Sequence, residues 1–455
     1  MSITNKAAIV GIGDTPTDRL GSKPGEPRKS SAEYLAWAMH LALEDAGLSL
    51  KDFQGQGLGV TIPTAYPQPF WPEEVSEILG ITPGFLLGGA TGGAGAVSLM
   101  GGMSAAINSG LIDLALVIGA AAPFSEHWGG GIQPGDMRDW EIPYGTMGPN
   151  SKIAMVMRRH MHEYGTTLDH LGKIAVTARY HSSLNPLGYL RSPMTIDDYK
   201  KSRLVADPVR LFDCVMPANG GKAYILASPE RAKTLRKKPV WVKGFGERSN
   251  PSYGPRAGSD ALIMGVKDAG RVAMEMAGVK HKDINFLQLY DDYVIVVYLQ
   301  IEDLGFCQKG DLKFFENTDF TFKGQLPIQT GGGIINCGQP STAGGVHHIL
   351  EGVRQLRGEG GERRDQQHNE KPLGDGKAEN TLDHGGLCLS QCWCSASALP
   401  SSALRTKVFL TAIVSPNSRP EMISTLTESS RPVVTGRILK PPPWLTNTAL
   451  TPLMV

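Results

Sequence analysis

The sequence predicts an α/β protein that is built from two similar halves. Apolar runs that stop at glycine alternate with helical periodicity, first in "AAIVGIG" (7–13) and then in "SAEYLAWAMHLALEDAG" (31–47). The pattern of "MHLALEDAGLSLKDFQGQGLGV" (39–60) returns in "VAMEMAGVKHKDINFLQL" (272–289): a helix, "AG", a polar turn with "KD" and a strand. Fusion of two like halves explains this internal repeat most simply, and two ordinary βα units that share a helix stop are the alternative.

The elements of the first half follow in order along the chain. After the strand at 7–13, the first helix begins with Ser31 as its predicted N-cap. A helix is predicted at Val97–Asn108 and a buried strand at Leu114–Ala122. Residues 123 to about 236 break this rhythm with loops and a further helical stretch, and the second half restarts with a strand in "KPVWVKGFGE" (238–247).

These patterns predict the domain organisation. Residues 1–122 and 207–236 form an N-terminal half, 123–206 an inserted loop domain and 237–357 a C-terminal half. From Gly358 onward the chain becomes polar and then rich in Ser, Thr and Pro. For this tail (358–455), replacement of the expected strands, a disordered extension and a shifted reading frame stay open, and we expect the last two together.

Composition limits the function classes. The 455 residues carry a formal charge of +1, which gives no electrostatic argument for nucleic acid or an anionic membrane surface. The sequence has no uninterrupted apolar stretch of about 18 residues, so no membrane span is expected. Six scattered cysteines and a start without a signal-peptide pattern predict a cytoplasmic protein. "CLSQCWC" (388–394) lacks a fourth ligand at suitable spacing, and no metal site is predicted.

A glycine-rich turn in "FLLGGATGGAGAV" (85–97) joins an apolar strand to a helix. Such a turn aims one side chain and the N–H groups of the helix start into a pocket. The turn offers only Ala90, Thr91, Gly92 and Gly93, so it carries no nucleophile. We therefore expect these four residues to line a pocket.

Several segments, in the right order over roughly residues 5–360, resemble the thiolase superfamily, and within it the sterol-carrier-protein-type and lipid-transfer-type branch. This resemblance implies duplicated βαβαβ halves with central helices in five layers, normally in a homodimer. The segments that carry it are "AAIVGIGDTP", "EDAGLSLKD", "YGTMGPNSKIAMVMRRHMHEYG", "DPVRLFDCVMPANGGKAYILAS" and "GQLPIQTGGGIINCGQPSTAGGVHHILEGVRQLRGEG".

The four positions that carry thiolase chemistry in that family are altered here. Ala90 stands at the position of the nucleophilic cysteine, and Gln339 in "GQP" stands at the histidine of "GHP". Tyr290 in "LYDDY" stands at the asparagine or histidine of "NEAF" or "HDCF", and no "CxG" follows Gly361. An alanine cannot form an acyl-enzyme and an amide cannot take a proton near pH 7, so we expect no covalent intermediate.

Tyr290 resembles the tyrosine in the "LYDHF" motif of lipid-transfer-type aldolases, which lack the cysteine and cleave steroid β-hydroxyacyl-CoA thioesters by a retro-aldol step. If Asp291 and Asp292 are ionised nearby, they raise its pKa, so Tyr290 suits an acid or hydrogen-bond donor better than a base. Two structural alternatives stay open: a buried tyrosine whose hydroxyl bonds to backbone, and aspartates that cap the following helix.

The second tyrosine of those aldolases has no counterpart between Gly331 and Gly345. Candidate substitutes are Gln339, Cys337 and the pair His347 and His348, which the helical pattern assigns more readily to core or surface. Cys337 is the residue that could support a thiol-based mechanism. The retro-aldol step that the resemblance implies gives the bare turn at 90–93 a use, because the turn would leave room for a bulky acyl group and present N–H groups to a developing oxyanion. Two further glycines, Gly332 and Gly333, are expected to line this oxyanion pocket.

The resemblance implies an enzyme that acts on acyl-CoA thioesters in lipid or steroid side-chain metabolism, with no cofactor besides the coenzyme A of the substrate. The favoured reaction is retro-aldol cleavage of a β-hydroxyacyl-CoA. An acyltransferase of the thiolase type and a non-catalytic lipid-binding or complex subunit are the alternatives. The expected partners are a second copy of the chain and a small OB-fold, acyl-CoA-associated protein.

Overall fold

The computed structural model describes residues 2–63, 70–89, 91–126, 142–146, 148–248 and 260–363. Ala90 and the part of the predicted tail beyond Arg363 lie outside these ranges. The strands are β1 (Ala8–Asp14), β2 (Gly57–Thr61), β3 (Phe85–Gly89), β4 (Leu114–Ala121), β5 (Leu204–Ala206), β6 (Val209–Arg210), β7 (Gly220–Ala227) and β8 (Val240–Trp241). The helices are α1 (Ser31–Ala46), α2 (Trp71–Leu79), α3 (Gly95–Asn108), α4 (Pro149–Tyr164), α5 (Leu168–Leu184), α6 (Ile196–Lys201), α7 (Pro229–Ala232), α8 (Val266–Ala277), α9 (Val294–Asp303), α10 (Leu312–Asn317), α11 (Gly333–Cys337) and α12 (Gly344–Arg357).

A mixed six-stranded sheet with the order β3-β2-β4-β7-β1-β8 organises the N-terminal half. Strand β2 runs parallel to β3 and β4, whereas β7 lies antiparallel between β4 and β1. Every residue of β1, β4 and β7 is buried, which fits their apolar runs. Helices α1 and α2 cover one face of the sheet, and α3 and α12 pack on the other.

The predicted strands and helices of this half are confirmed to within a residue or two, and one cap differs. Ser30 rather than Ser31 is the N-cap of α1: its hydroxyl accepts a hydrogen bond from the Glu33 N–H, and the Glu33 carboxylate accepts one from the Ser30 N–H. This reciprocal pair forms because the glutamate stands three residues after the cap.

The internal repeat is visible in the structure. Helices α1 and α8 both end at a glycine in the left-handed conformation, Gly47 (φ 71°) and Gly278 (φ 69°). A short 3₁₀ turn follows each, at Leu50–Phe53 and at His281–Asp283. These matching stops agree with two halves of common design.

The second half departs from the predicted strand arrangement at its start. The strand in "KPVWVKGFGE" is the two-residue β8, and it pairs antiparallel with β1 of the first sheet. Among the described residues that follow, the extended segment 284–290 pairs in parallel through one bridge, Leu287 with Ile328. The sequence after Arg363, where the last strands of this half are expected, lies outside the described residues.

A further helical layer surrounds α9, whose ten residues are all buried. Its side chains share one apolar cluster with α4, α5 and α10. This layer fixes the segment 290–293, which leads directly into α9. None of the helices in the described part of the chain combines the length and apolar character that a membrane crossing needs.

Candidate active site

The starts of α3 and α12 lie against each other. Both helices have 14 residues, and a three-residue 3₁₀ turn precedes each, Gly92–Ala94 and Ser341–Ala343. A Cβ atom on Gly345 would lie 1.8 Å from the carbonyl oxygen of Gly93, so the two backbones meet where no side chain fits. This close approach brings the segments before both helices into one site.

Tyr290 and Gln339 meet in this site. The Tyr290 residue is 4% exposed, and the Gln339 Nε2 donates a hydrogen bond of 2.6 Å to its phenol oxygen. Within the described ranges the phenol oxygen makes this one hydrogen bond, and its own proton is not used in it. The alternative in which the hydroxyl bonds to the backbone is therefore wrong, because its partner is a side-chain amide.

Gly93 provides the space for the phenol ring. A Cβ atom at this position would lie 2.1 Å from Cε2, 2.2 Å from Cζ and 2.5 Å from the hydroxyl oxygen of Tyr290. We expected the bare turn to leave room for an acyl group, but at Gly93 the ring of Tyr290 takes that room. The glycine turn is thus in direct contact with the ring of Tyr290, the candidate acid.

Gln339 is held by its backbone. Its N–H donates to the carbonyl oxygen of Met216 at 2.8 Å, and its carbonyl accepts from the N–H of Ala218 at 3.1 Å. A Cβ atom on Gly344 would lie 2.8 Å from the Gln339 Cγ, so the side chain also packs closely on the start of α12. The backbone of Gln339 is therefore held in place, and the side-chain amide reaches Tyr290 from this fixed position.

Asp291 caps a different helix from the one expected. Its carboxylate accepts hydrogen bonds from the N–H groups of Ile334 (3.0 Å) and Ile335 (3.4 Å) in α11, and the Nε2 of His348 lies 3.1 Å from its Oδ1. The N-cap of α9 is Tyr293, whose side chain makes no capping bond. Asp291 caps α11 instead of α9 because the segment before α9 is packed against α11.

Burial and charge set the protonation states. Burial raises the pKa of Tyr290 well above its usual value, and Asp292 and Asp291 raise it further, so the phenol stays protonated as expected. Burial also raises the pKa of Asp292 to about 8, and Asp291 contributes to the rise. The site therefore pairs a neutral phenol with a carboxyl that titrates near neutrality.

Cys337 lies at the end of α11 in a setting that keeps the thiol neutral. Burial raises its pKa to about 12, and its Sγ donates to the carbonyl oxygen of Gly331 at 3.2 Å. The Nδ2 of Asn185 lies 3.8 Å from the same sulfur. This geometry gives no support to a thiolate at Cys337, since a thiolate needs a lowered pKa.

The other predicted pocket residues fall into two places. Thr91 and Gly92 start the turn before α3, and the Thr91 hydroxyl lies 3.3 Å from the Ser98 Oγ. Gly333 approaches Asp291, where a Cβ atom would lie 1.8 Å from Oδ2, whereas a Cβ atom on Gly332 would lie 2.6 Å from the Ser182 Cβ. Gly333 thus belongs to the Asp291 side of the site, and Gly332 packs on α5. An oxyanion role for these residues stays a prediction.

His347 and His348 are core residues, as the helical pattern allows, and His348 packs directly against the site. The His348 ring is fully buried and meets Tyr290 edge to face, with centroids 6.0 Å apart, and His347 lies beside it with centroids 5.5 Å apart. Burial lowers the pKa of His347 well below its usual value, so this ring is neutral. The sequence signal that could have placed both histidines near the site is their position in the first turns of α12, the helix whose start forms the site.

Comparisons with known proteins agree on one family. Residues 254–387 match the family model described as thiolase C-terminal domain-like. A 17-hydroxy-3-oxo-4-pregnene-20-carboxyl-CoA lyase from Mycobacterium tuberculosis is 31% identical over 376 residues, which cover 78% of this chain and 92% of the relative. A steroid side-chain-cleaving aldolase from Thermomonospora curvata is 33% identical over 230 residues, 48% of this chain and 57% of the relative.

Solved structures lead to the same group. The Ltp2-ChsH2(DUF35) aldolase matches with a TM-score of 0.68 and 28% identity, over 79% of this chain and 92% of that chain. The matched length in this structure and in the lyase includes both halves of the chain. The similarity therefore extends well beyond a single domain.

Proposed function

Because the chain belongs to the thiolase superfamily, in its sterol-carrier-protein-type branch, we propose that it is a carbon–carbon lyase that cleaves a β-hydroxyacyl-CoA by a retro-aldol step. The observation that carries this proposal is the contact of Tyr290 with Gln339 at the two helix starts. In degradative thiolases the corresponding positions hold the nucleophilic cysteine and the histidine that activates it. A protonated phenol and an amide instead supply hydrogen bonds and one proton.

The retro-aldol reaction needs few catalytic groups besides these two side chains. Removal of the β-hydroxyl proton turns the β-carbon into a carbonyl, the Cα–Cβ bond breaks, and its electron pair forms the enolate of the shorter thioester. Tyr290 protonates the α-carbon, and its high pKa keeps the proton available until the enolate forms. Gln339 donates to the phenol oxygen and so stabilises the negative charge that develops there.

The names of the relatives indicate a substrate class. The lyase from Mycobacterium tuberculosis is named for a thioester that carries a hydroxyl on C17 and the carboxyl-CoA on C20. These two carbons are neighbours, so the hydroxyl is β to the thioester carbonyl, as retro-aldol cleavage requires. We propose a steroid side-chain thioester of this class for the present chain.

The proposal includes partners. The related solved structure contains ChsH2(DUF35) besides its aldolase, which supports a partner subunit for this chain, and we propose a small OB-fold protein that associates with acyl-CoA. A homodimeric core is the second part of this proposal. Dimer purified alone that cleaves the thioester at the full rate would contradict the need for the partner.

The central test replaces Tyr290 by phenylalanine. Tyr290→Phe keeps the ring against Gly93 and removes one hydroxyl, so turnover of 17-hydroxy-3-oxo-4-pregnene-20-carboxyl-CoA should fall by roughly 100-fold or more. The matched control is Tyr199→Phe, because Tyr199 is also fully buried and its hydroxyl bonds to Asp213 at 2.5 Å outside the site. This control should lose about 1–3 kcal/mol of stability, because it removes a donor from a buried carboxyl, and keep its turnover.

One result would contradict the role of Tyr290, and two others would contradict the proposed function itself. Unchanged cleavage in Tyr290→Phe would remove Tyr290 from the chemistry. Product formation from acetyl-CoA and a 3-ketoacyl-CoA, together with a thioester adduct on a cysteine in mass spectrometry, would identify an acyltransferase. Binding of the thioester without turnover by the wild type would identify a non-catalytic subunit.

A further inference from the structure

Asp292 holds a fixed position beside Tyr290. Its carbonyl oxygen accepts a hydrogen bond of 2.8 Å from the Val215 N–H. The next residue is anchored as well, because the Tyr293 hydroxyl donates to the Asn150 Oδ1 at 2.5 Å and its backbone bridges to Cys214. The carboxyl group therefore projects from a backbone that is held at Asp292 and at Tyr293.

In the described part of the chain, one oxygen of the Asp292 carboxyl is left without a partner, and the carboxyl has fewer partners than that of Asp291. Its Oδ1 is buried and has no hydrogen-bond partner among the described residues, although the residue as a whole is partly exposed. Asp291, one position earlier, contacts two backbone N–H groups and His348. A buried polar oxygen without a partner is costly, and a catalytic role is one explanation for such a group.

The charges around Asp292 suit proton transfer. The titratable groups that act on it or respond to it are Asp291, Tyr290 and Tyr293 on its own segment and Cys214 on the segment that pairs with it. Burial raises the pKa of Asp292 to about 8, Asp291 adds to the rise, and the N–H groups of Asp292 and Tyr293 oppose it in part. The ionised carboxylate is thus a much stronger base than an exposed aspartate.

We propose that Asp292 is the base that takes the proton of the substrate β-hydroxyl, an assignment that rests on the proposed function. The carboxylate accepts the hydroxyl proton while the Cα–Cβ bond breaks and the β-carbon becomes a ketone. Tyr290 gives its proton to the α-carbon of the enolate. The protonated Asp292 then returns a proton to the Tyr290 phenolate, so the cycle closes without a co-reactant.

The experiment measures kcat/KM against pH for cleavage of 17-hydroxy-3-oxo-4-pregnene-20-carboxyl-CoA. For the wild type, kcat/KM should rise about tenfold per pH unit and level off above about pH 8, where the carboxylate is ionised. Asp292→Asn should lose roughly 100-fold or more and no longer show this rise. Asp292→Glu should retain it, and added formate should partly restore cleavage in Asp292→Ala.

The matched control is Asp213→Asn. Asp213 is a second buried carboxyl, 1% exposed, and it bonds to the Tyr199 hydroxyl and the Arg210 N–H outside the site. This variant should lose stability and keep the pH profile of the wild type. A merely structural role for Asp292 would instead make Asp292→Asn behave like this control.

The outcomes separate the two proposals. If Asp292→Asn cleaves at nearly the wild-type rate or keeps the rise toward pH 8, Asp292 is not the base, while loss of cleavage in Tyr290→Phe leaves the proposed function standing. If the wild type does not cleave the thioester, both proposals fall.

Discussion

The contact between Gly93 and Tyr290 allows the site to be disturbed without removing a chemical group. In Gly93→Ala the new Cβ would lie 2.1 Å from Cε2 of the phenol ring. Ordinary contact between carbon atoms needs about 3.5 Å, so the ring must move by more than about 1 Å. The ring has little freedom, since its backbone carbonyl accepts from the Gln300 amide at 2.7 Å and His348 packs against it.

A displacement of this size has a known scale in catalysis. Misplacement of a catalytic group by about 1 Å costs roughly 100-fold in rate. We therefore expect Gly93→Ala to lower kcat for β-hydroxyacyl-CoA cleavage by about that factor, with a loss of about 1–3 kcal/mol in stability from overpacking. Steady-state kinetics and thermal unfolding on the same preparation measure both quantities.

Gly101→Ala is the matched control. Gly101 lies in the same helix, and its Cβ would meet the ring of Phe245 at 2.4 Å, outside the site. The two variants impose the same kind of clash on an aromatic ring, so both should unfold at lower temperature. Wild-type kcat in Gly93→Ala would refute the reasoning, because the position of Tyr290 would then not matter.

Two further predictions concern groups around the site. Cys337→Ala should leave cleavage unchanged, and in the wild type the Cys337 thiol should resist iodoacetamide at pH 8. The reason is that this thiol is buried, has a pKa raised to about 12 and donates to the Gly331 carbonyl. Rapid alkylation of Cys337 would contradict this prediction. Asp14→Asn should cost about 3–5 kcal/mol in urea unfolding at pH 7, because it leaves Lys222 and Arg354 buried without their shared carboxylate. Although burial opposes it, these two cations hold the pKa of Asp14 well below its usual range, so this stabilisation is present above about pH 4 and should fall as the pH drops below that value.

The sequence could predict most of the first half because its signals are local. Buried strands such as Leu114–Ala121 are continuous apolar runs, and helices such as α1 end at glycines that adopt the left-handed conformation. The single-residue error at Ser30 came from reading the apolar period without the Glu33 that completes the capping pair. Local spacing thus predicts the helices and strands well, and it predicts their capping residues less well.

The site depends on contacts between distant segments, which local patterns do not contain. Tyr290 and Gln339 were both singled out by comparison with motifs, yet their hydrogen bond exists because α3 and α12 meet at Gly93 and Gly345. The same packing turned Asp291 from the expected cap of α9 into an acceptor for α11. Such roles follow from tertiary packing and could not be read from the order of residues alone.

The glycines of the turn before α3 have a structural explanation that is independent of the chemistry. A Cβ atom on Gly93 would clash with the Tyr290 ring, and a Cβ atom on Gly345 would clash with the carbonyl oxygen of Gly93. Glycine at 93 and at 345 is therefore needed by the packing of this structure, and Ala90 need not be a nucleophile for these glycines to be present. The chemistry is decided by the side chains that reach the shared space, and there a phenol, an amide and a carboxyl with a raised pKa favour proton transfer over acyl transfer.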